Sequence, residues 1–387
     1  MTPIYLDHNA TTPLLPQAWE AMRPVMAEAF GNPASAHHAG RQARRYLEDA
    51  REKVAALLEA HPDEVIFTSG ATEANNLALF GLAGNPPGRI LASPIEHPCV
   101  IEPLKQLAAR CFDIAWLPVD GRGIVERPAR SANGHDDSLS ESPTLRLVSV
   151  MLANHETGAI QPVRELAAAV SGVPFHCDAA QAVGKIPVSF RDLGVTALTA
   201  SAHKFRGPKG VGVLLLKRGT TLRPLLYGGH QQRGHRPGTE PVALAVGLAV
   251  ALEHAVTHIP EHAATTNRLR RRLLNRLQEL ASPVVVNGPP PGDPDSLPTT
   301  LNVSFPGCRA DLLLMSLDLA GVACSTGSAC SSGSLLPSPV LAAMGVSDDV
   351  LRSAMRFSLS PMLTDAEIEA AAQRIAGCVA RVRMDHG

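Results

Sequence analysis

The chain has 387 residues, which at ~150 residues per domain predicts two domains and excludes a single small module. Thirty-five Lys and Arg against 36 Asp and Glu leave a formal net charge of −1, so no global field draws the protein to nucleic acid or to an anionic membrane. With 45% apolar and only 18% charged residues the chain can build a large core and is not a disordered chain, and aromatics at 4% leave Ala, Val and Leu to fill it.

The first residues, Met-Thr-Pro-Ile-Tyr-Leu-Asp, carry neither a basic n-region nor an apolar h-region, so a soluble, cytoplasmic protein is expected. From Gly40 to Ala60, Leu47, Ala50, Val54, Leu57 and Leu58 recur at three- and four-residue spacing among Arg44, Glu48, Arg51 and Lys53, which predicts an amphipathic helix. Short β-branched-rich runs then alternate with helical stretches: Glu64 to Thr68, Arg89 to Ser93, Leu145 to Leu152, Val173 to Cys177, Ala197 to Ser201 and Val211 to Lys217. That alternation predicts an α/β fold with a largely parallel sheet. A polar stretch from Ser131 to Ser142 reads as an exposed insertion. The longest uninterrupted apolar run, Val242 to Leu252, is far short of the ~20 residues of a membrane helix, so no membrane partner is expected.

Near Pro260 the texture changes to an Arg-rich helix with Leu269, Leu273, Leu277 and Leu280 on one face. Arg268, Arg270, Arg271, Arg272 and Arg276 lie elsewhere on it and read as a solvated face, since no aromatic accompanies them for base stacking; direct nucleic-acid binding is not expected. A Pro/Gly-rich linker (Asn287 to Pro298) leads to a strand at Thr300 to Ser304, a helix at Ala310 to Leu319, a Ser/Gly-rich loop and a strand near Met355 to Leu359. The final helix opens on a capping box, Thr364-Asp365-Ala366-Glu367. A second, α+β domain is therefore expected from residue 256 onward.

Seven cysteines (99, 111, 177, 308, 324, 330 and 378) form no dense framework and no C-x-x-C pair, so most are expected to be plain thiols in a reducing compartment. The 15 histidines show no H-E-x-x-H spacing, and no dedicated metal site is expected.

The most specific segment is Ser201-Ala202-His203-Lys204-Phe205-Arg206-Gly207-Pro208-Lys209-Gly210. It puts a lysine just past a buried strand, where an α/β sheet presents its ligands. A partly desolvated amine there loses basicity and can form a Schiff base with a carbonyl cofactor; equally, a nearby acid can neutralise it. Asp178 follows another strand, placed either to pair with a protonated pyridine or to cap a helix. Thr68-Ser69-Gly70-Ala71-Thr72 runs from strand through glycine into a helix, which makes an anion site unless Ser69 simply caps it. Ile95-Glu96-His97 and Ala153-Asn154-His155-Glu156 bring further polar side chains to the same sheet edge. Five strands delivering polar groups to one edge mark a site.

With these segments in view the chain resembles the cysteine desulfurases, class V aminotransferase enzymes that use pyridoxal phosphate (PLP). The likeness runs from Tyr5-Leu6-Asp7-His8-Asn9-Ala10-Thr11-Thr12-Pro13 through the Thr72, His97, Asn154, Asp178 and Lys204 segments and Arg236-Pro237-Gly238-Thr239 to Gly327-Ser328-Ala329-Cys330 and Arg356-Phe357-Ser358. It implies the PLP-dependent transferase fold (fold type I), with a large PLP-binding domain over 15–255 and a small domain from 1–14 and 256–387 that carries the catalytic cysteine loop. It also implies roles. Lys204 bonds the cofactor and later moves the Cα proton. Asp178 pairs the pyridine nitrogen, Gln181 the ring hydroxyl, and His97 stacks on the ring as acid or base. Ala71, Thr72, Ser201 and His203 hold the phosphate, with Thr239 reaching in from the second subunit of a homodimer. Asn154 and Arg356 grip the substrate carboxylate.

The resemblance makes Cys330 the residue that takes the sulfur of L-cysteine as a persulfide, leaving alanine, and a transient iron–sulfur ligand. Its small-residue surroundings cannot pack a core, which suits a thiol that carries sulfur outward. The stretch after it resembles the branch with a long mobile loop, whose members pass sulfur to iron–sulfur scaffold proteins or to tRNA thiolation. Cys324 is expected at a strand end and without catalytic role, and His8 and His155 depart from the residues usual in these motifs. The alternative reading is a selenocysteine lyase or another class V enzyme.

Overall fold

The structure, a computed structural model, describes residues 2–126, 144–326 and 337–384. Both the polar insertion at 131–142 and Cys330 lie outside the described residues. The strands are β1 (Ile4–Tyr5), β2 (Val65–Thr68), β3 (Arg89–Ala92), β4 (Asp113–Trp116), β5 (Leu145–Ser149), β6 (Phe175–Asp178), β7 (Ala197–Ser201), β8 (Gly212–Leu216), β9 (Val285–Val286), β10 (Thr300–Ser304), β11 (Val322–Ala323) and β12 (Ala354–Ser358).

Seven of them form one sheet in the order β2-β8-β7-β6-β5-β3-β4. β8 pairs antiparallel with both β7 and β2, while the other pairings are parallel, so β8 alone runs against its six companions. Its reversal brings the chain straight back from the end of β7, and the carboxyl ends of β2, β3, β5, β6 and β7 therefore share one edge. The α/β class and the mostly parallel sheet agree with the sequence. β4 is not among the predicted strands because Asp-Ile-Ala-Trp is half-exposed at the margin and lacks a buried run.

Alternate strand residues enter different cores. Val65, Phe67, Val148, Phe175, Leu198 and Val213 meet helices α1 (Pro16–Glu28), α2 (His38–Leu57) and, later in the chain, Val242–Thr257. Ile66, Ile90, Leu147 and Leu214 meet α3 (Ala71–Leu82) and α4 (Pro98–Ala108). The predicted amphipathic stripe of α2 is buried as expected at Leu47, Ala50 and Val54, but Arg51 is buried as well, donating to Val65 O (2.6 Å) and lying over the Phe67 ring.

A second core joins β10 and β12 to the helices Ile259–Leu280 and Asp365–Met384, and Ile4 and Leu6 from the chain start pack within it. On Ile259–Leu280 the structure corrects two expectations. Leu280 is 43% exposed, because the helix runs past the core that takes Leu269, Leu273 and Leu277. Arg270 is 1% exposed rather than solvated, since its Nη1 donates to Ser296 Oγ and to the carbonyls of Leu297 and Thr300. Arg268 and Arg272 behave as expected, facing Asp365 at the surface. Thr364 and Glu367 exchange the capping-box hydrogen bonds.

Candidate active site

The shared strand edge opens into a cavity of about 470 Å³, lined among others by Ala71, Thr72, His97, Asp178, Gln181, Ser201, His203 and Lys204. Eight of the twelve residues implied for the site by the resemblance meet here. Asn154, Arg356 and Thr239 are not on the lining, and Cys330 is not described.

One wall is the start of α3. Gly70 holds φ at +152°, a backbone conformation disfavoured for residues with a Cβ, and a Cβ on the neighbouring Gly212 would stand 2.8 Å from the Gly70 Cα. Ser69 does not cap this helix: the N-cap is Gly70, with no side-chain hydrogen bond, while the Ser69 N–H donates to Glu73 Oε2. The first N–H groups of a twelve-residue helix are thus left toward the cavity, with Thr72, Ser201 and His203 around them. Arg236 closes the rim by pairing with Glu73 at 2.8 Å. Burial pushes the Glu73 carboxyl up, but the hydrogen bonds from Arg236 and Ser69 outweigh it and hold it below its usual range.

The opposite wall carries the acid. Asp178 ends β6, accepting from Ala180 N (2.9 Å) and from Asn75 Nδ2 (2.7 Å). Asn75 lies one turn beyond Thr72 on α3, and its Oδ1 faces His176 Nε2 at 3.1 Å, while His176 Nδ1 meets Ser149 Oγ at 2.9 Å. Burial, opposed in part by Asp178, pushes the His176 imidazole down to about 4, so it is neutral. The donors then run in one sense, Ser149 to His176 to Asn75 to Asp178, and the carboxylate is fixed at the end of the chain. Asn75 escaped the sequence reading, although its spacing of three from Thr72 on a helix puts both on one face.

His97 is the N-cap of α4 and accepts from Cys99 N through Nδ1 (3.2 Å), which leaves the proton of the neutral ring on Nε2. Cys99 Sγ is 2.9 Å from the same nitrogen, and burial raises this thiol far above its ordinary value. The buried His155 ring stands edge-on to His97 at 5.1 Å. Glu96, 2% exposed, is pushed up to about 8 by burial, against the opposing pull of its bonds from Met151 N and Ser93 Oγ.

Lys204 follows β7, its Nζ donating to Asn9 O (2.6 Å) and Ala10 O (3.0 Å). Beneath it the half-buried Lys185 donates to Asn9 Oδ1 (3.0 Å) and Gln181 Oε1 (2.6 Å), and desolvation together with Lys204 lowers its basicity. Asn154 is fully buried, its Oδ1 accepting from the N–H groups of Glu156 and Thr157. Arg356 bonds Asp7 Oδ1 (2.7 Å) and His155 O (3.0 Å) and keeps a buried Nε without a partner among the described residues. Thr239 is exposed. Cys324 directly follows β11, as expected, and burial raises its thiol strongly.

These residues fit PLP: an amine, a fixed carboxylate and an anion cradle built on a helix start wall a single cavity. When bound, the cofactor supplies an electron sink for a carbanion next to the substrate nitrogen.

Comparison with known proteins agrees. The family model for class V aminotransferases matches residues 4–371. "Cysteine desulfurase IscS" of Dictyoglomus turgidum is 40% identical over 370 residues, 94% of this chain and 91% of that protein. "IscS-like cysteine desulfurase" of Mycobacterium tuberculosis is 43% identical over 98% of this chain and 97% of its own length. A solved structure titled "NIFS-LIKE PROTEIN" superposes with a TM-score of 0.89 at 37% identity, covering 98% of this chain and all of its own. The chain belongs to the cysteine desulfurase family of class V aminotransferases, enzymes dependent on PLP.

Proposed function

We propose that this enzyme removes sulfur from L-cysteine, giving L-alanine and a persulfide on Cys330. The observation that carries the reading is the cavity in which Lys204, Asp178 and the start of α3 converge.

In this reading Ala71, Thr72, Ser201 and His203 hold the cofactor phosphate, Asp178 holds the pyridine nitrogen in its protonated form, and Gln181 reaches the ring hydroxyl. Lys185 and Asn9 O already fix the Gln181 amide from both ends. Lys204 would hold the cofactor through Nζ, and the same Nζ would take the Cα proton of the substrate. The carbonyls of Asn9 and Ala10 accept from this Nζ and orient it. Arg356 and Asn154 grip the substrate carboxylate, and the unpartnered Nε of Arg356 suits that task. His97 packs against the ring and carries a proton on Nε2 to give to the substrate. Cys330, as thiolate, bonds the substrate sulfur while the C–S bond breaks, and the carbon left behind is protonated to alanine.

The working unit is a homodimer in which Thr239 of one subunit completes the phosphate site of the other. Residues 15–255 form the cofactor domain, and 1–14 with 256–387 the small domain. The protein acts in the cytoplasm, and the persulfide passes to an acceptor such as an iron–sulfur scaffold protein or to tRNA thiolation.

Replacing the Cys330 thiol by a hydroxyl tests the reaction. Cys330→Ser should still hold PLP and bind L-cysteine, while alanine and persulfide production fall by about 10⁴-fold, the scale of loss when a covalent nucleophile is removed. Alanine formation near the wild-type rate would sink the reading. Lost desulfurase activity with intact selenocysteine cleavage would mark a lyase instead.

A further inference from the structure

A second cavity, of about 70 Å³, lies on the far side of the chain segment that carries Lys204. Neither Asp178 nor Thr72 lines it, nor do the two residues assigned above to the substrate carboxylate. Its walls carry Lys185, Lys204, Arg206, His8, His254, His262 and Thr299, and no Asp or Glu among the described residues.

Three features of that wall point the same way. Lys185 is half-buried and gives two of its N–H groups to neutral oxygens, with no carboxylate paired to it among the described residues. Arg206 makes no ion pair among the described residues, and its buried Nε has no acceptor among them either. Thr299 is 9% exposed, and its hydroxyl also lacks a partner among the described residues. A partly buried guanidinium without counter-charge is costly, and an arginine cannot escape the cost by losing its proton. The histidines bear the same sign of strain: burial, Lys185 and Arg206 push His8 down to about 4, while burial, His258 and Arg206 lower His254. Burial, His254 and His258 lower His262 also, against Glu261, which lies off the lining.

We propose that this cavity binds a small inorganic anion of halide size between Lys185, Arg206 and the Thr299 hydroxyl. A volume of about 70 Å³ has room for a halide together with water. The anion would balance Arg206 and Lys185 across this cavity.

The test uses the PLP-loaded enzyme and chloride as probe, with sodium gluconate, a much bulkier anion, holding ionic strength constant. Chloride should broaden the ³⁵Cl resonance in excess of a simple salt effect and raise the melting temperature above that in gluconate. Arg206→Gln and Thr299→Val should each cut the excess broadening at least about fivefold while the cofactor absorption band stays unchanged. Equal behaviour of chloride and gluconate in the wild type would overturn the proposal, as would excess broadening that persists undiminished in either variant. The readout is anion binding, so its outcome does not depend on whether the desulfurase reading holds.

Discussion

Asn75 Nδ2 donates to Asp178 Oδ2 at 2.7 Å, linking the helix whose start cradles the anion to the acid at the end of β6. The two halves of the cofactor site are thereby set at one separation. Hydrogen bonds to charged groups contribute about 1.5–3 kcal/mol, so Asn75→Ala should weaken PLP retention by roughly 10- to 100-fold. Dialysis followed by absorbance measures the loss, with circular dichroism near wild type. Unchanged retention would remove Asn75 from the site.

The buried Glu96 carboxyl gives a pH dependence with a defined sign. Its native pKa is raised to about 8, so the native state keeps this proton while the unfolded state releases it near the usual 4.5. Stability from this group is full below 4.5 and is lost as pH rises through 8. Two units between pH 6 and 8, at about 1.4 kcal/mol each, predict a loss of about 2–3 kcal/mol. Glu96→Gln should erase that part, so the variant gains on the wild type as denaturation midpoints are followed from pH 6 to 9. A constant difference across that range would contradict it. Glu156, raised to about 7 by burial, contributes in the same direction and persists in both proteins.

Arg270 bridges the helix Ile259–Leu280 to the segment 296–300, and burial first, then Arg271, lowers its pKa to about 10. Arg270→Met keeps the aliphatic stem but leaves the Leu297 and Thr300 carbonyls without this donor. A destabilisation of about 3 kcal/mol is expected, read as a lower denaturant midpoint at unchanged m-value. A cost under about 1 kcal/mol would show that water replaces the guanidinium freely.

Thr239 stands exposed three residues from Arg236, which pairs with Glu73 at the cavity rim. In a homodimer that shares its sites, Lys204→Ala and Thr239→Ala damage different halves. Each variant alone should be impaired, and random exchange of subunits should restore about a quarter of wild-type activity, since half the dimers then hold one intact site. No recovery despite demonstrated exchange would place Thr239 in its own subunit or outside the site.

What the sequence by itself determined was local. Strand runs, the glycine before α3, the lysine past β7 and the acid at the end of β6 are each legible because alternation, turn chemistry and strand-end position act over a few residues. The motif order was enough to point to the family. Only the tertiary structure decided which polar groups meet. Arg270 and the exposed arginines beside it read alike along the helix, yet one is buried because the carbonyls of a loop some 30 residues away converge on it. Asn75 looked like a helix residue of no consequence until β6 was laid beside α3. The cationic cavity behind Lys204 draws Lys185, Arg206, His254 and Thr299 from four separate segments. Charge and hydrogen-bond capacity are written in the sequence, but the partner that satisfies them, or the lack of one, is a property of through-space distance.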